Sequence, residues 1–156
     1  MFDEDYFCYA EDTDVCIRSR LLGYSAEYVD MTAALHDGQA SSGGGFSDFV
    51  LYHGIRNSIW TMVKSIPLRS ILLNLPFIVA LHLGIIIRHS LKGKVGVIVR
   101  LYVDTLRALP RMLNKRKVVQ ATRRIHSRDF NEFITPKFYE SNFLKMAIRD
   151  LFRFAR

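Results

Sequence analysis

The alternation of apolar and polar positions changes character along the chain. Residues 12–22, DTDVCIRSRLL, predict a short helix. Asp12 or Thr13 can cap its start, and Gly23 sits just past its end, where a left-handed residue is wanted. Residues 26–30, AEYVD, alternate weakly and predict a short strand. Residues 32–36, TAALH, read as a second extended piece ending at His36, and residues 37–45, DGQASSGGG, as a flexible loop. Residues 46–65 return to helical spacing and are rich in aromatic and polar side chains, among them Phe46, Phe49, Tyr52, His53, Arg56, Asn57 and Trp60.

Beyond residue 70 apolar residues dominate. Residues 71–87 contain no charge and are bracketed by Arg69 and Arg88. As a helix they reach about 25 Å, just short of a ~30 Å hydrocarbon core. Asn74, Pro76, His82 and Gly84 weaken the run as a spanning segment, so a spanning helix, an interfacial helix and two helices broken at Pro76 all remain open. Residues 95–109 are mostly apolar, with Arg100, Asp104, Arg107 and Arg111 in one narrow polar stripe, and Pro110 marks a kink or stop. The final segment, residues 141–156, sets Phe143, Leu144, Ala147, Ile148, Leu151 and Phe152 against Lys145, Arg149, Arg153 and Arg156. That is the basic amphipathic pattern of a surface-seeking helix.

Charge sharpens the division. Residues 1–50 carry ten carboxylates and two arginines, whereas residues 51–156 carry 20 Lys or Arg and five carboxylates. An acidic region suited to chemistry therefore precedes a basic one suited to an anionic surface. Hydrophobic residues make up 49% of the 156, enough for a core or a membrane contact and too many for a disordered chain. Cys8 and Cys16 form neither a disulfide framework nor a metal knuckle and read as reduced thiols. A basic cluster at Lys115–Lys117, followed by Arg123, Arg124 and Arg128, comes without any nucleic-acid-binding motif, so nucleic acid is not an expected partner.

The densest chemistry is FDEDYFCYAEDTDVCIRSRLLGY, residues 2–24, with six carboxylates in residues 2–14 interleaved with Phe2, Tyr6, Phe7 and Tyr9. Like charges this close repel unless cations, protons or a substrate compensate, and aromatic rings beside carboxylates commonly hold a sugar. The string resembles the family 2 glycosyltransferase pattern FDExFFxYxEDxDLCxRxxxxGY. The resemblance continues through Tyr28 to His36, the Ser/Gly loop and YHGIRN at residues 52–57, and LPRMLNKRKVVQATRRIHSRDF resembles the basic ending of rhamnosyltransferase-like members. It is specific over residues 1–60 and a matter of texture beyond.

That resemblance implies inverting transfer of a sugar from a nucleotide-sugar donor to an acceptor hydroxyl, in cell-surface polysaccharide synthesis. Asp12 matches the general base, Glu11 would orient the acceptor, and Asp3, Asp5 and Tyr9 would line its site. Asp14 is as well placed to cap the helix or pair with Arg18. His36 matches a position that in some members completes a metal site for Mg²⁺ or Mn²⁺. The Rossmann-like half with its main Asp-x-Asp metal motif has no counterpart here, so the chain is expected to be a C-terminal portion, inactive alone. The expected fold is mixed α/β, mainly α: residues 1–45 as the end of a GT-A domain, residues 46–156 as membrane-associated helices. The expected partners are the donor, a glycan or lipid-linked acceptor and an anionic membrane surface, at the cytoplasmic face of the cell membrane. The competing reading is a non-enzymatic protein that docks on membranes through basic helices.

Overall fold

A computed structural model describes residues 1–31 and 47–133. Six helices make up the regular structure of these residues: α1 (Glu11–Leu21), α2 (Asp48–Ser65), α3 (Leu68–Leu91), α4 (Val95–Arg107), α5 (Leu109–Ala121) and α6 (Ser127–Phe133). No strand occurs among them, which corrects the mixed α/β expectation to an all-helical arrangement. Residues 26–30, expected as a strand, are exposed and form none, with no ladder partner among the described residues. Alternation alone does not hold a strand, because its N–H and C=O groups need a ladder partner. Residues 32–45, the second extended piece and the loop, lie outside the described residues, as does the basic amphipathic segment 141–156.

Helix boundaries follow local chemistry. The Ser47 side chain accepts a hydrogen bond from the Val50 N–H at 3.2 Å and caps α2. Gly23 ends α1 with φ 88°; its N–H donates to Arg20 O and that of Tyr24 to Ser19 O, the paired bonds of a Schellman turn. The α1 start differs from expectation. Helix begins at Glu11 with no side-chain cap, so Asp12 and Thr13 lie within the first turn. Pro76 does not break α3, and Pro110 falls in the first turn of α5, where its missing N–H costs nothing.

Helix α2 is the hub, packed against α1, α4 and α5. One core cluster joins Tyr6, Trp60 and Met112; a second joins Leu51, Ile98 and Leu101. Burying each such side chain contributes about 1.5–3 kcal/mol. The N-terminal segment is thus anchored on the helices of the second region, through Tyr6 edge-on to Trp60 and hydrogen-bonded with Thr61 at 2.9 Å. Arg116 Nη1 donates to Val63 O and Ile66 O, and Gln120 to Ser65 O, closing the end of α2. Part of the basic cluster at 115–117 is therefore structural.

Helix α3 stands apart. It is long and apolar enough to cross a membrane, the one such helix among the described residues, and only 6% of its most apolar stretch is buried.

Candidate functional site

The carboxylates of the opening segment fall into two groups. Asp14 is fully buried; its oxygens meet Arg18 Nε at 2.8 Å, Lys64 Nζ at 2.8 Å and Ser65 Oγ at 3.2 Å. Lys64, itself 1% exposed, also pairs with Asp3 at 2.7 Å. Asp3 in turn accepts from Lys115, which also meets Asp5 at 2.7 Å, and Arg111 lies 3.2 Å from Asp5. Asp3, Asp5 and Asp14 thus form one ion-paired network with Lys64, Lys115, Arg18 and Arg111. It offsets the like-charge repulsion of the segment and ties it to α2 and α5. Burial pushes the Asp3 carboxyl up, but hydrogen bonds from Lys115, Lys64 and the Asp5 N–H outweigh it and lower its pKa to about 2. For Lys115 burial acts downward, and its bonds to Asp3 and Asp5 leave it raised.

Asp12 belongs to the other group. It is exposed on the first turn of α1, no ion pair holds it among the described residues, and its Oδ1 accepts from the Thr13 N–H at 2.6 Å. Glu11 beside it is partly buried, with Oε2 enclosed and unbonded. The carboxylate that the sequence singles out as a base is therefore open to an incoming group, and its neighbours at positions 3, 5 and 14 are not.

Asp12 is positioned by an unusual turn. Tyr9 and Ala10 both have positive φ, 67° and 64°, a conformation costing non-glycine residues about 1–3 kcal/mol each. Asn57, fully buried, holds the turn: its amide donates to Cys8 O at 2.7 Å and Tyr9 O at 2.9 Å. Its Oδ1 accepts from Arg56 Nε at 3.0 Å. Arg56 lies 4.3 Å from the Trp60 ring centroid and 4.9 Å from that of Tyr52, and it donates to Tyr52 Oη at 3.2 Å. Tyr52 donates onward to Asp104 Oδ2 at 2.7 Å. A continuous chain of contacts thus runs from α4 through the Arg-Asn pair of α2 to the turn before Asp12. The sequence marked Arg56 and Asn57 only by resemblance; their clamp function needed the fold.

Aromatic rings border this turn. Phe7, 78% exposed, sets its edge on Phe49 at 6.4 Å and lies 5.9 Å from His53; Tyr9 meets Phe49 at 6.3 Å. Burial, with Arg56 and Arg100 nearby, holds the His53 imidazole below its usual pKa. The platform sits beside the turn that carries Glu11 and Asp12, and it suits the apolar face of a sugar ring.

Among the described residues a metal has no comparable setting. Asp14 of the Asp12-Thr13-Asp14 string is consumed by Arg18 and Lys64, and His36 lies outside the described residues. Among the described residues no group of three or more His, Cys, Asp or Glu side chains is placed to hold a metal ion. No family model matches this chain, and neither a curated protein nor a solved structure matches it.

Proposed function

We propose that this chain is the acceptor side of a membrane-associated, inverting glycosyltransferase, with Asp12 as the general base. The observation that carries the reading is the place of Asp12: Asp3, Asp5 and Asp14 are held in ion pairs, while Asp12, unlike exposed Glu4, sits in the first helical turn directly after the backbone turn that buried Asn57 pins. A base must come within hydrogen-bond reach of the hydroxyl it deprotonates, from a rigid support. In the proposed step Asp12 takes the acceptor proton as the acceptor oxygen bonds to the anomeric carbon and the nucleotide diphosphate leaves with inversion. Glu11 orients the acceptor, and Phe7, Tyr9 and Phe49 offer it a ring surface. Asp3 and Asp5, first expected to touch acceptor, hold the segment in place instead. A nucleotide-binding segment with its Mg²⁺ or Mn²⁺ completes the enzyme, and the site faces the cytoplasm.

The test is sugar transfer by membranes carrying the protein in its native gene context. Asp12→Asn lowers transfer from nucleotide-sugar donors by about 10²–10⁴-fold with membrane binding retained. Unchanged transfer excludes Asp12 as the base. The exposed apolar surface of α3 also supports a second reading, a membrane-docking protein without enzymatic activity; under that reading no nucleotide sugar is consumed at all.

A further inference from the structure

We infer that α3 does not cross the bilayer but lies flat in one leaflet of an anionic membrane, as an in-plane anchor. The helix is inside-out compared with a surface helix of a water-soluble domain. Leu68, Leu72, Leu75, Val79, Leu83 and Ile87 recur every three or four positions and are all exposed. Its polar residues turn inward. Ser70 donates to Asn131 Oδ1 at 2.6 Å, Asn74 to Ser70 O at 2.8 Å, and His82 Nδ1 lies 2.9 Å from Tyr102 Oη. Asn74 and His82, which weaken the run as a spanning segment, are satisfied, Asn74 within its own helix and His82 against α4, and the outer stripe stays apolar.

The tethers decide between crossing and lying flat. Ser70 fixes the start of α3 to α6, His82 its middle to α4, and the Lys94–Asp48 pair at 2.8 Å fixes the residues just after it to the start of α2. Both ends thus belong to one body, with α4 packed alongside. Tyr102 meets α3 nine residues from Leu91, about 13 Å along the axis and near half the depth of a hydrocarbon core. A crossing α3 would draw Arg100 and Asp104, within a turn of Tyr102, into that depth, where charge is strongly disfavoured. A flat α3 buries the leucine stripe with its exposed flank of Leu73, Phe77 and Leu81, ~5–10 Å deep, and keeps the charged residues of α4 wet. Arg69, exposed at the start of α3, supplies a cation at headgroup level, and the chain's net charge of +7 favours anionic phospholipids.

The experiment uses the full chain with Cys8→Ser and Cys16→Ser, carrying either Arg69→Cys or Lys92→Cys, bound to sealed vesicles of phosphatidylcholine and phosphatidylglycerol. A membrane-impermeant maleimide labels both positions without permeabilisation if α3 lies flat. Labelling of one of them only after permeabilisation overturns the inference. In flotation, Leu72→Glu with Leu83→Glu lowers vesicle binding by roughly tenfold or more, with circular dichroism unchanged. Unaltered flotation of that variant overturns the inference, as does a parent protein that stays off vesicles and self-associates through the stripe. Neither readout depends on sugar transfer, so failure here leaves the proposed activity standing, and loss of that activity leaves the anchor standing.

Discussion

Asn57 does more than its single amide suggests. It saturates two carbonyls of a positive-φ turn and receives Arg56, all without solvent. Asn57→Ala leaves those groups unpaired in a buried place and is expected to lower stability by about 2–3 kcal/mol, measured by chemical denaturation. Asp3 makes a pH-dependent contribution with a definite sign. Its folded pKa is about 2 against an ordinary 3.8, so the stability it adds is complete above 3.8 and drains away as pH falls toward 2. Acid titration of the folded fraction should show that loss, and Asp3→Asn should flatten the curve in that window. The sequence singles out Asp12 as the Asp of the Glu-Asp pair, and the fold leaves that side chain exposed. That Asp3 and Asp5 serve as anchors was not legible there, because their partners are remote in the chain: Lys64 and Lys115 lie 61 and 112 residues from Asp3, and Asp5 pairs with Lys115 and Arg111.

At the scale of elements, the helices were readable where periodicity and terminators agreed. Gly23 takes the left-handed turn its position called for, and α2 and α4 start or end within two residues of their expected limits. Residues 26–30 misled because weak alternation carries no information about a pairing partner. At Pro76 the sequence left a break and a continuous helix open, and the proline fits within α3 without ending it. The α2 start rests on Ser47. Ser47→Ala is expected to cost about 1 kcal/mol, read from the thermal unfolding midpoint, since it leaves the Val50 N–H without its cap.

Across the whole molecule, the charge asymmetry visible in the sequence is partly internal complementarity. The acidic opening and the basic helices neutralise each other through Asp14, Lys64, Asp3, Lys115, Asp5 and Arg111. Lys64 links α1, α2 and the N-terminal segment from a buried position. Lys64→Met leaves buried Asp14 with Arg18 as its one remaining cation and is expected to destabilise by about 3–5 kcal/mol in denaturant titration. Outside that network Asp12 stays open beside an aromatic platform, and α3 turns an apolar surface outward. The most direct measurement compares Asp12→Asn with Asp5→Asn in the same membranes, scoring sugar transfer per folded molecule together with thermal stability. The account predicts that Asp12→Asn abolishes transfer and leaves stability intact, while Asp5→Asn loses stability and its folded molecules still turn over. The reverse pattern, with Asp12→Asn active and Asp5→Asn stable but inert, would contradict it.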